Sequence, residues 1–310
     1  MSRPTLDDLN PNLGKRTRLR RLMHHYGPGH GTLLLLPIDH GLEHGPVDFF
    51  ANPDAADPEY QLRLAQEGGY SGIVFHYGLA HKYMPAYAGT VPLVLKLNGK
   101  TNVPSDAEAF SPQESMVEDA VRLGADAVGY TLYVGSPSQA DDFLQLGAVR
   151  AECERYGMPL IIWSYPRGRA IAEKGGRDSI YAVDYAARVA TELGADVVKL
   201  NVPKFQDPAN EDSPEPYRRL YHEWQALDED QAYRRAVEKV VHSAGSTLAL
   251  FSGGSRVSDE DLLRKARICM EAGASGFLFG RNMWQRPLQE GLHITKEIKR
   301  IMVEAVTSKE

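Results

Sequence analysis

The sequence predicts an eight-stranded parallel β/α barrel, a TIM (β/α)8 fold of the α/β class. Three observations carry that expectation: eight short apolar runs, helix-like stretches between them, and small-residue turns that close the helices. A continuous apolar run rich in β-branched residues marks a strand buried on both faces, as parallel strands are. The runs lie at 33–38, 72–75, 91–97, 127–131, 160–164, 197–200, 247–251 and 276–279. Eight is the number that closes such a barrel. Gly68-Gly69, Gly124-Ala125, Gly194-Ala195 and Gly273-Ala274 each precede a run, where glycine supplies a left-handed helix cap. The patterns 58–67, 112–123, 182–193 and 259–272 have the length of right-handed crossover helices. Ser258, with Asp261 three residues on, predicts a capping box at the start of the last.

The 310 residues exceed the roughly 250 of a simple barrel, which predicts one domain over 1–310 with additions. These are an N-terminal extension, 1–31, and an insertion, 204–230, between strands six and seven. The insertion carries Pro208, Pro214 and Pro216, and its Tyr217, Leu220, Tyr221 and Trp224 recur at helical spacing, so they are expected to pack against the barrel or a neighbouring subunit. A long loop, 98–110, follows strand three, on the face where barrel loops carry function. Hydrophobic residues make up 43% and charged residues 25%, and no apolar run approaches the roughly 20 residues that span a bilayer, so a soluble protein without a membrane partner is expected. Asp7 and Asp8 sit where a presequence avoids acids, and Cys153 and Cys269 give no disulfide framework, so a cytoplasmic location is expected. The net charge of −6 argues against nucleic acid as a partner. The run Lys15, Arg16, Arg18, Arg20 and Arg21 reads as a solvated helix face.

Active sites of such barrels lie at the C-terminal strand ends, and here those ends are unusually polar. Lys199 sits inside Val197-Val198-Lys199-Leu200, where its ammonium is desolvated. Desolvation lowers a lysine's pKa and leaves neutral amine to attack a carbonyl; the alternative is a structural ion pair with an acid such as Asp39. Ser252-Gly253-Gly254-Ser255 and Gly280-Arg281 end strands seven and eight, where close-approaching amides, a helix start and a guanidinium bind phosphate in these folds. Tyr165 follows Trp163 by two residues and shares its face of strand five, so its phenol can exchange protons with a bound substrate or simply line the wall. Asp39 directly follows strand one and needs a cationic partner if buried. His40, His44 and His76 suggest zinc, but their spacing matches no helical metal motif, and no metal is expected.

Seven ordered segments, from about residue 33 to 290, carry a family resemblance: Pro37-Ile38-Asp39-His40-Gly41-Leu42-Glu43-His44-Gly45, Leu93-Val94-Leu95-Lys96-Leu97-Asn98-Gly99-Lys100-Thr101, Gly129-Tyr130-Thr131-Leu132-Tyr133, Trp163-Ser164-Tyr165-Pro166-Arg167-Gly168, Gly194-Ala195-Asp196-Val197-Val198-Lys199, Ser252-Gly253-Gly254 and Gly280-Arg281-Asn282. With them the chain resembles the archaeal-type class I fructose-bisphosphate aldolases, also called DhnA-like aldolases. The resemblance implies that Lys199 forms a Schiff base, that Tyr165 is the acid/base, and that Asp39 and Trp163 line the substrate pocket. It implies that Ser252, Gly253, Gly254, Gly280 and Arg281 hold one phosphate of fructose 1,6-bisphosphate. Arg167 or Lys100 is then expected to meet the second phosphate. It also implies a cytoplasmic homo-oligomer, often a decamer, without metal or other cofactor. The insertion after Lys199 departs from the family's shorter members. Related members condense other phosphorylated sugars or act as thiolases. On the residues alone, a flavin-mononucleotide barrel oxidoreductase and a catalytically silent phosphosugar-binding barrel stay open as well.

Overall fold

The computed structural model describes residues 3–308. Eight strands, β1 (Leu33–Pro37), β2 (Gly72–His76), β3 (Leu93–Lys96), β4 (Ala127–Val134), β5 (Leu160–Pro166), β6 (Val197–Leu200), β7 (Leu248–Ser252) and β8 (Gly276–Leu278), close in sequence order into a parallel barrel. Closure between β8 and β1 depends on Gly276, at φ +145°, where a Cβ would fall 1.9 Å from the Leu33 carbonyl oxygen. Crossover helices Pro58–Gly68, Gln139–Tyr156, Ile180–Glu192, Glu229–Ala244 and Asp259–Glu271 cover the outside. Ser258 caps the last of these by accepting the Asp261 N–H at 3.2 Å.

Strands β4 and β5 run past the predicted stretches because their ends stay in register, Tyr133 beside Tyr165 and Val134 beside Pro166. The helix expected over 112–123 is shorter, Val117–Arg122. Its first residues are held extended: Asn98 bridges Gln113, and Leu97 O accepts the Glu114 N–H at 2.8 Å.

Side-chain alternation along each strand divides the core in two. Leu33, Leu35, Val74, Val94, Ala127, Ile161, Val197, Leu248, Leu250 and Leu278 fill the barrel, while Leu34, Leu36, Ile73, Phe75, Leu95 and Val198 face the helices. Leu6, Leu19, Leu22 and Met23 join the interior cluster, so the N-terminal helix Leu13–Arg20 and the turn after it stop the barrel's lower end. This corrects the solvated reading of the basic run. Lys15 is buried between Glu154 and Asp196, the latter at 2.9 Å, and Arg21 pairs with Asp126 at 3.1 Å.

After β6 the chain forms a 3-10 turn, Pro208–Asp212, and a helix, Glu215–Trp224, before the crossover helix. Tyr221 and Trp224 are buried in the core that surrounds the barrel, and Tyr217 packs against helix Ile180–Glu192, its hydroxyl donating to Asp184 Oδ2 at 2.6 Å. Among the described residues, no helix is long and apolar enough to cross a membrane.

Candidate active site

The alternation that fills the barrel with leucine and valine continues upward into polar residues. In β6, Val197 points inward and therefore so does Lys199; in β5, Ile161 is followed by Trp163 and Tyr165; in β3, Val94 is followed by Lys96. Ladder pairing sets Trp163 beside Lys199 and Lys96 beside Gly129. These side chains stand beneath a cavity of about 980 Å³ at the C-terminal end of the barrel. Asp39, Trp163, Tyr165, Lys199, Lys100, Arg167, Ser252, Gly253, Gly254, Gly280 and Arg281 all line it, so every expected site residue reaches one space.

Lys199 is 4% exposed. Its Nζ hydrogen-bonds to the Tyr165 hydroxyl and stands 4.2 Å from the centroid of that ring. Burial lowers its pKa to about 7, against the raising effect of Asp39 and Glu43 and helped by Arg167 and Lys96. A large fraction is therefore neutral amine near neutrality. Burial drives Tyr165 the other way, well above 10, and Glu43 and Asp39 reinforce the shift. The phenol thus keeps its proton.

Asp39 is not the partner of Lys199. It lies 3.5 Å from Lys96 Nζ and 3.2 Å from His40 Nδ1, and Lys96 also pairs with Glu43. Burial alone would raise the Asp39 carboxyl, but Lys96 and His40 hold it well below the usual range. Lys96, fully buried, would be lowered by desolvation, yet Glu43 and Asp39 raise it. The barrel therefore holds two lysines in opposite states: Lys96 is a cation fixed between acids, and Lys199 is an amine depleted of its charge by burial. Gly129 makes room for this, since a Cβ there would fall 2.7 Å from the Trp163 ring and 3.0 Å from Lys96 Cδ. Glu43, Lys96 and Gly129 had no role assigned from sequence; Lys96 stands out there as a polar residue carried by strand three, and the period-two pattern of β3 points it inward.

At the β7 and β8 ends, Ser252 Oγ donates to Asn201 Oδ1 at 3.1 Å, and Gly254 adopts φ +65°. Asn282, fully buried, ties the two rims together. Its Oδ1 accepts the Val257 N–H at 2.9 Å, and its Nδ2 donates to Gly253 O and Ser255 O, each at 3.2 Å. Arg281 lies 4.0 Å from Asp48, with its Nε unpaired. On the opposite rim, Lys100 and Arg167 converge on Asp106, at 2.9 and 3.0 Å. The histidines do not form the trio weighed from sequence, because His76 pairs with Glu114. Among the described residues, the one group able to converge on a metal is His40, His44 and Asp48, within 4.8 Å.

Together these features define a β/α-barrel lyase site: a desolvated amine and a phenol on the floor, with cationic and amide-rich rims on either side. The chain belongs to the DeoC/LacD family of aldolases, whose model matches residues 33–286. A class 1 fructose-bisphosphate aldolase of Thermoproteus tenax is 41% identical over 257 residues, covering 83% of this chain and 84% of the relative. One from Halobacterium salinarum is 37% identical over 256 residues, covering 83% of this chain and 85% of its own length. The solved structure of an archaeal fructose-1,6-bisphosphate aldolase, its catalytic lysine covalently bound to the carbinolamine intermediate of the substrate, superposes with a TM-score of 0.76 at 36% identity, covering 93% of this chain and 98% of that one. A fructose-bisphosphate aldolase from Slackia heliotrinireducens superposes with a TM-score of 0.78 at 27% identity, covering 96% and 91%.

Proposed function

We propose that the protein is a class I fructose-bisphosphate aldolase that cleaves fructose 1,6-bisphosphate reversibly through a Schiff base on Lys199. The observation that carries this reading is a buried lysine amine, lowered to about 7 and bonded to a protonated phenol, under a cavity lined by Ser252, Gly253, Gly254, Gly280 and Arg281. The neutral amine adds to the keto carbon of the open-chain sugar, and the carbinolamine loses water to give a protonated imine. As water leaves, Tyr165 gives its proton to the departing hydroxyl, and the phenolate so formed takes the proton from the C4 hydroxyl; the C3–C4 bond breaks, and its electron pair moves into the iminium as an enamine. Glyceraldehyde 3-phosphate leaves. Protonation of the enamine at C3 and hydrolysis of the imine then release dihydroxyacetone phosphate and restore the amine.

Tyr165 is the group that carries the proton traffic, since it touches Lys199 and is held protonated in the resting site. Asp39, kept ionised by Lys96 and His40, orients hydroxyls and stabilises the iminium. Trp163 walls the pocket beside Lys199. Ser252, Gly253, Gly254, Gly280 and Arg281 hold the phosphate nearer the keto carbon, and Arg167 and Lys100 meet the other. A cytoplasmic homo-oligomer is part of the same reading, supported by the buried free thiols of Cys153 and Cys269 and by the family resemblance.

The test is cleavage of fructose 1,6-bisphosphate by wild type, Lys199→Met and Arg281→Ala. Wild type turns over, the lysine variant does not, and the arginine variant shows a strongly raised KM with a smaller change in kcat, because a phosphate contact acts in ground and transition states alike. Retained turnover in Lys199→Met overturns the Schiff-base assignment.

A further inference from the structure

We propose that Asp106 occupies the second-phosphate position when the site is empty and is displaced by the substrate, so that this acid sets the selectivity between bisphosphorylated and monophosphorylated sugars. The inference rests on the aldolase reading for the identity of its ligand. Its physical basis is the rim opposite β7 and β8. Asp106 opens the 3-10 turn Asp106–Glu108 in the long loop after β3. One carboxylate oxygen lies 2.9 Å from Lys100 Nζ, and the other lies 3.0 Å from Arg167 Nε and 4.0 Å from Arg177 Nη1. All four side chains line the cavity.

Three cations thus share one monoanion, which leaves the cluster net positive and suited to an anion of higher charge. A phosphate offers three oxygens and up to two charges where the carboxylate offers two oxygens and one. The two nearer cations are anchored independently of Asp106. Arg167 Nη1 donates to Pro166 O at 2.8 Å and its guanidinium lies 5.1 Å from the Tyr165 ring centroid, while Lys100 Nζ donates to Thr101 O at 3.1 Å. The Asp106 side chain is 43% exposed, so it can swing into water without stranding a buried charge. Its presence makes every bisphosphate compete with an internal anion, whereas a sugar carrying only the phosphate for the Arg281 rim pays no such penalty.

The test is calorimetric binding of fructose 1,6-bisphosphate and fructose 1-phosphate to Lys199→Met and to Lys199→Met/Asp106→Asn, in which no turnover intrudes, alongside steady-state cleavage by wild type. The asparagine variant is expected to bind the bisphosphate roughly three- to tenfold tighter, the scale of one released ion pair, with the monophosphate unchanged. Bisphosphate affinity that is unchanged or weaker, or an equal gain for both sugars, overturns the proposal. If the selective gain appears but wild type cleaves neither sugar, the aldolase reading falls and the Asp106 assignment stands; if wild type cleaves and the gain is absent, the Asp106 assignment alone falls.

Discussion

Burial acts on Lys199 and Tyr165 through one cause with opposite consequences, because it penalises whichever form is charged. The lysine is left as a neutral amine and the phenol keeps its proton, so in the proposed mechanism the pair meets a carbonyl with the nucleophile unprotonated and the acid loaded. Tyr165→Phe keeps the ring and removes the proton. Turnover is expected to fall by roughly 10²- to 10⁴-fold while imine formation at Lys199 slows but stays detectable, measured as steady-state cleavage beside borohydride trapping. Wild-type turnover in that variant would make the tyrosine a wall residue and give the proton to another group such as Asp39. Lys199 was legible in the sequence because an ammonium inside an apolar run demands a reason. Its relation to Asp39 was not: an isolated reading offers Asp39 as its counterion, and only the barrel register reveals that Lys96 and His40 hold that acid.

At the scale of elements, the glycine-rich rim proposed to hold phosphate depends on the loop after β7 keeping its place over the short helix after β8, and one buried side chain joins them. Asn282→Ala removes the acceptor for the Val257 N–H and the donor for the Gly253 and Ser255 carbonyls. It is expected to cost about 1–3 kcal/mol of stability in denaturant unfolding and to raise KM for the bisphosphate, since unpaired buried polar groups are expensive and the loop loses its anchor. An unchanged KM would show that the loop holds its shape without Asn282. The glycines and Arg281 of this rim were legible from strand-end position. Neither Asn282 as the tie nor the meeting of Asp106 with Lys100 and Arg167 was, because irregular loops carry no periodicity that fixes where their side chains point. The helix expected over 112–123 was misjudged for a related reason: its first residues are bound to the end of β3 by long-range backbone bonds invisible to a local pattern.

For the whole molecule, the barrel's dry interior links activity and stability to one titration. With the Lys199 amine near 7 and neutral amine required for attack, kcat/KM for cleavage should fall about tenfold per pH unit below that point and level off above it. The stability consequence runs in the same direction but in a higher pH window. The unfolded lysine titrates near 10.4, so between about 10.4 and 7 the unfolded chain binds the extra proton and wild-type stability declines as pH falls. Lys199→Met escapes that penalty and is expected to melt higher than wild type at pH 7, with the gap shrinking as pH rises toward 10. A gap independent of pH would mean that the lysine is not desolvated. The eight strands and their order were legible because each is buried on both faces and reads as an apolar run. The stopper of the lower end was less so, since Lys15 looks like a surface residue until Glu154 and Asp196 are brought to it.

The most direct measurement is borohydride reduction in the presence of dihydroxyacetone phosphate, followed by mass mapping of the modified peptide. A single reduced adduct on Lys199, absent from Lys199→Met, is the expected result, because the lysine lowered to about 7 is the neutral amine of the cavity while Lys96 is held charged between Glu43 and Asp39. No adduct, or an adduct on Lys96 or on a surface lysine, would contradict the account.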